Sequence, residues 1–175
     1  MMLPFPEQAR WYAEYHQKDT THYLHIAGIL FILLALMILL GFVHVLIPRV
    51  IEITLADIAA VSLLIYYFRL NWRLALVLTP IFIVIIWLAQ LISFPGPTAF
   101  SLWSFVIIFL VGCILQFLGY MTEGKRPPFS IAIWQVLAAP MFLTAEVFFK
   151  AGKMHLLKEE IHGIPPSTVS EPPII

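Results

Sequence analysis

Between Thr20 and Pro48, and again between Leu74 and Thr122, the chain carries no Asp, Glu, Lys or Arg. Uncharged apolar runs of about 18 residues or more are long enough to cross a bilayer as helices. Runs of this length leave no room for the polar surface that a water-soluble domain needs. Composition agrees: 61% of the residues are hydrophobic and 11% are charged, against about 25% charged in soluble domains. The expectation is an all-α, polytopic membrane helical bundle forming one domain over residues 1–162, with a disordered Pro-rich tail over 163–175. The formal net charge is zero. No basic patch is left over for a nucleic-acid partner. The single cysteine, Cys113, lies within an apolar run, so an intrachain disulfide is excluded. The first apolar run sits behind a mixed-charge segment and is expected to stay in the mature protein.

Pro6 opens a short helix to about His16, and Trp11, Tyr12 and Tyr15 give it an aromatic side suited to the membrane interface. Asp19, Thr20 and Thr21 are good N-caps, so the first long helix is predicted to start there and to run to Leu46 or Ile47, where Pro48 stops it. His44 then lies at the far interface, roughly 28 Å along the helix from His25. Residues 53–68, which include Asp57, are a short or tilted span. Residues 74–92 are a span containing Pro80. Pro95-Gly96-Pro97 forces a tight turn, and 98–120 is the next span. The last apolar run, 130–149, is interrupted by Pro140 and Glu146.

Basic residues decide how many runs cross. If the last run does not cross, every Lys and Arg except Arg49 falls on one side, the arrangement the positive-inside rule prefers. This predicts about four transmembrane helices, an N-terminal interfacial helix, a re-entrant or interfacial C-terminal apolar helix, and both termini cytoplasmic. His16, His22, His25, Tyr120, Glu123, Arg126 and Glu146 then share one membrane face.

Half of the six histidines, His16, His22 and His25, fall where the polar N-terminus enters the first apolar run. Neutral imidazole is the commonest protein ligand for iron or zinc. His22 and His25 are spaced i, i+3 and share a helix face, and His16 needs a bend at 17–20 to reach them. The competing reading of the cluster is interfacial packing. Glu146 is the one acid deep in the last apolar run. It is either a functional carboxylate or a partner for Arg126 or Lys150. Gln116 and Tyr120, i and i+4 on one helix, can bind a polar head group, or can form a helix–helix hydrogen bond, the more ordinary use. There is no phosphate-binding glycine loop and no nucleophile elbow. A haem held between histidines of two spans is a poor fit, because the first span alone carries any.

Three blocks together resemble a known family. They are Tyr15-His16 with His25 and Gly28; Gln116-Phe117-Leu118-Gly119 with Arg126 and Pro128; and Leu137 to Phe142 with Glu146, Phe149-Lys150 and Gly152. Their order and spacing over residues 11–155 are similar to those of the Mpo-like family, named for the fungal 2-hydroxy-fatty-acid dioxygenase of the endoplasmic reticulum. The resemblance implies an Fe²⁺-dependent membrane enzyme that uses O₂ to shorten a 2-hydroxy fatty acid by one carbon, in sphingoid-base breakdown. It matches His16 and His25 to family histidines. Together with His22 from the cluster, the candidate metal ligands are His16, His22 and His25, and the candidate catalytic residues are Tyr120, Glu146 and Arg126. The implied location is a bacterial inner membrane or the endoplasmic reticulum. Tyr120 and Gln17 stand where the family has histidine, Thr21 where it has asparagine, and Leu30 where it has proline. His22 or Glu146 would then complete the iron site. The alternative is a catalytically inactive relative that binds lipid or protein. A small transporter fits less well, because the chain has no internal repeat and few intramembrane charges. No feature of the sequence sets an oligomeric state.

Overall fold

The computed structural model of the chain describes residues 19–47, 51–123, 139–142, 144–149 and 152. The expected interfacial helix before His16, the loop with Arg126, and the tail over 163–175 lie outside the described residues.

The first helix, α1, spans Asp19–Gly41. It stops short of the predicted end at Leu46 or Ile47. Its last turn tightens, with Phe42 N–H donating to Leu39 C=O (3.3 Å) and Val43 N–H to Leu40 C=O (3.2 Å). The chain then enters an antiparallel hairpin rather than more helix: β1, His44–Ile47, pairs with β2, Ile51–Thr54. The register sets His44 opposite Thr54 and Val45 opposite Ile53. Runs rich in Val and Ile favour strands. A uniformly apolar sequence hides the switch, because both elements read as a hydrophobic run. The described residues are therefore mostly helical with one small sheet, and His44 sits on a strand.

Thr54 ends β2 and caps α2, Leu55–Leu70, through a capping box with Asp57. Thr54 N–H donates to Asp57 Oδ2 (2.9 Å), and Asp57 N–H donates to Thr54 Oγ1 (3.3 Å). The other carboxylate oxygen, Oδ1, accepts from Gln90 Nε2 on α3 (2.8 Å). Asp57 is thus a cap and a tie between helices. Replacing it by alanine is expected to lower stability by about 1–2 kcal/mol, the worth of its lost hydrogen bonds. Thermal unfolding in detergent measures this, and an unchanged midpoint would mean that water replaces the carboxylate's contacts with Thr54 and Gln90.

A single residue, Asn71, joins α2 to α3, Trp72–Ser93. Its N–H caps α2 by donating to Tyr67 C=O (3.0 Å), and its Oδ1 caps α3 by accepting from Arg73 N–H (3.2 Å). The helix continues through Pro80. It ends in the predicted turn, where Gly96 adopts φ +78°, a value that glycine alone reaches without strain. Helix α4, Ala99–Glu123, comes next. The helix Ala139–Phe149, α5, includes Leu143, which lies outside the described residues.

Contacts at the helix ends fix the direction of each element. Thr21 Oγ1 lies 3.0 Å from Thr122 Oγ1, so the start of α1 meets the end of α4. At the other end, Gly41 packs on Ser93, and Asp57 meets Gln90. The chain therefore passes up and down four times, with α2 antiparallel to α3. Three of these helices are long and apolar enough to cross a membrane: Thr21–Gly41, Trp72–Ser93 and Ala99–Thr122. At 16 residues, α2 is shorter than a typical span. Where α1, α2 and α3 meet, Met37, Ile38, Ala60, Tyr67, Leu74 and Phe82 are buried. The outer side of α4 is bare, with Phe100 70% and Trp103 65% exposed. An apolar face of this kind suits lipid.

Candidate functional site

The buried histidines, His22 and His25, lie at the end where α1 begins and α4 finishes, and Ser93 and Ser101 are buried at the other end. His25 is 1% exposed. An imidazole this deep needs polar partners, because an unpaired polar group in an apolar surround costs free energy. Gln116 supplies two contacts across the helix pair. The His25 Nδ1 is hydrogen-bonded with Gln116 Oε1, and Gln116 Nε2 donates to the His25 backbone C=O (3.2 Å).

Glycine makes both contacts sterically feasible. The His25 ring lies on Gly119 of α4, where a Cβ would come within 2.6 Å of Nε2. Gln116 lies on Gly28 of α1, where a Cβ would come within 3.1 Å of its Cγ and Nε2. Each helix thus offers a polar side chain and, three residues on, a glycine that seats the other's side chain. Tyr120 closes one side of the site, with its ring edge-on to His25 at 4.8 Å between centroids.

His22, one turn before His25, is also buried. Its ring meets Phe142 of α5 edge-on at 6.3 Å. This contact brings α5 to the same end of the bundle. Glu146 is one turn beyond Phe142 on the same helix face, and it too is buried. His22, His25, Tyr120 and the helix bearing Glu146 therefore meet at one end, as the sequence predicts. His16 and Arg126 lie outside the described residues, as does Lys150, one of the partners considered for Glu146. His44 is exposed at the opposite end, where its Nδ1 is 3.3 Å from Phe42 C=O. Of the two uses considered for Gln116, the helix–helix hydrogen bond is the one observed. The seating role of Gly28 and Gly119 was not anticipated. Its signal is the repeated spacing His25-x-x-Gly28 and Gln116-x-x-Gly119.

The donor chemistry suits a first-row metal. With Nδ1 held by a hydrogen-bonded partner behind it, His25 has the arrangement of a metal-ligating imidazole. His22 adds a second nitrogen on the same face of α1. Among the described residues no three His, Cys, Asp or Glu side chains come together, so a metal at this end requires a donor beyond these two.

Residues 2–151 match the family model described as Mpo1-like, 2-hydroxy-palmitic acid dioxygenase Mpo1-like. No curated protein and no solved structure matches the chain. The family match covers most of the sequence, and the chain belongs to the Mpo1-like family.

Proposed function

We propose that this member of the Mpo1-like family is an Fe²⁺-dependent membrane dioxygenase that uses O₂ to shorten 2-hydroxy fatty acids by one carbon. The observation that carries the reading is His25, buried at one end of an apolar bundle and hydrogen-bonded through Nδ1 in the form of a metal ligand. His25 and His22 would hold the iron, with His16 as the further donor. Bound Fe²⁺ would supply redox chemistry toward O₂ and a Lewis acid for a 2-hydroxy carboxylate.

The remaining roles belong to the chain. Arg126 would pair with the substrate carboxylate at the membrane face. Tyr120 packs on His25 and keeps water from it, and Glu146 is the buried acid on the neighbouring helix. The acyl chain would enter from the lipid-facing side of the bundle. Four crossings, with α2 as the short one, keep both termini on the cytoplasmic side. The second reading is a catalytically inactive relative that binds lipid or protein. What favours it is Tyr120, which stands at a position the family resemblance assigns to histidine.

Iron content and turnover decide between the two. The protein is purified in detergent without oxygen, alongside His25→Ala, and each sample is assayed with a 2-hydroxy fatty acid and O₂. Near-stoichiometric iron and turnover, both lost in His25→Ala, are the expected result. Turnover retained by His25→Ala would overturn the assignment of that residue. Wild-type protein that takes up no iron after reconstitution with Fe²⁺ would favour the inactive relative.

A further inference from the structure

We propose that Gln116 is a positioning residue that sets the tautomer of His25, and that the two glycines make this setting rigid. The inference deepens the metal reading of His25 and rests on it for its functional meaning. The tautomer itself can be measured without any metal.

Donor and acceptor chemistry fixes each atom in turn. Gln116 presents one oxygen and one NH₂ to His25, and the backbone C=O of His25 can only accept. The NH₂ must therefore face that carbonyl, as it does at 3.2 Å. Turning the amide over would set two acceptor oxygens against each other at the carbonyl. With the NH₂ committed, Oε1 faces Nδ1. An amide oxygen carries no hydrogen, so the proton of this bond belongs to Nδ1. In the neutral ring the lone pair is then on Nε2. The backbone carbonyl of α1 thus fixes the amide, and the amide fixes the imidazole.

Rigidity comes from the seats. The Gln116 side chain lies against Gly28, with Cγ and Nε2 each 3.1 Å from where a Cβ would be. The His25 ring lies across Gly119, with Nε2, Cε1 and Cδ2 at 2.6, 2.9 and 3.0 Å from such a Cβ. Neither side chain can swing without leaving its glycine. Outer partners that hold a histidine in its ligating form are typically worth about 10–100-fold in metal affinity.

The test compares wild type with Gln116→Met and Gln116→Glu. Methionine has similar volume and lacks the acceptor, whereas glutamate keeps an oxygen for Nδ1–H. Nitrogen NMR of ¹⁵N-histidine-labelled, metal-free protein in micelles reads the tautomer, with His25 assigned by its absence in His25→Asn. Titration with Co²⁺ as the probe reads affinity. In wild type, a protonated Nδ1 and an unprotonated Nε2 are expected. Gln116→Met should lose that preference and bind Co²⁺ about 10–100-fold more weakly. Gln116→Glu should keep a proton on Nδ1, at the expense of stability, because its second oxygen faces the His25 carbonyl.

An Nε2–H tautomer in wild type would overturn the proposal. So would an unchanged tautomer and affinity in Gln116→Met. If that variant does not fold, the wild-type and Gln116→Glu spectra still decide. Wild type that shows the Nδ1–H tautomer and binds no Co²⁺ would refute the metal reading and leave the role of Gln116 standing.

Discussion

On the proposed role of His25 as a metal ligand, alanine at position 119 is expected to lower metal affinity by about 100-fold, the upper end for loss of a group that orients a ligand, with turnover falling alongside it. The added methyl would sit 2.6 Å from His25 Nε2 and within 3.0 Å of two ring carbons. It would collide with the face of a flat, rigid ring, not with the end of a flexible chain. Nδ1 holds that ring to Gln116, and Tyr120 packs against it at 4.8 Å. The clash is relieved by turning the ring off α4, which breaks the bond to Gln116 and moves Nε2. Titration of purified Gly119→Ala with Co²⁺, beside its rate with a 2-hydroxy fatty acid, checks the result. Wild-type affinity in this variant would mean that the ring has a second seat with the same donor geometry.

Gly112→Ala should act on stability first. Its Cβ would lie 3.0 Å from the backbone O of Gly28, 3.0 Å from the backbone N of Ile32 and 2.7 Å from Ile32 Cγ1. Two of these three atoms are backbone, so α1 and α4 must move apart. No hydrophobic force draws helices together in lipid. Close packing and interhelical hydrogen bonds hold them. Separation here weakens the Thr21–Thr122 contact and the paired bonds between His25 and Gln116 at the same time. Overpacking of a tight contact costs about 1–3 kcal/mol. A lowered unfolding midpoint in detergent, with partial loss of metal affinity, is the expected outcome. A midpoint equal to that of wild type would show that the crossing has slack.

Both predictions rest on contacts between residues about ninety positions apart in the chain, and local spacing carries no trace of such contacts. The charge-free runs announced membrane-length helices, because their composition leaves no other environment for them. Pro95-Gly96-Pro97 announced a turn, because proline lacks the helix donor and glycine admits positive φ. The buried imidazoles were visible as candidates because His22 and His25 share a face at a helix start. The end of α1 was not visible. Gly41 to Ile47 is apolar throughout apart from His44, and the change from helix to strand depends on pairing with Ile51–Thr54.

The sequence alone determined that this chain is mostly helical, that it has runs long and apolar enough to cross a membrane, and that three of its histidines cluster where the first apolar run begins. These properties arise from composition and local spacing. Only the tertiary structure decided which face of α1 meets α4, that α5 reaches His22 through Phe142, and that Gln116 holds His25 by its Nδ1. Helices that are apolar on every side carry no stripe to say which face turns inward. That choice falls to the few places where a glycine on one helix leaves room for a side chain of another.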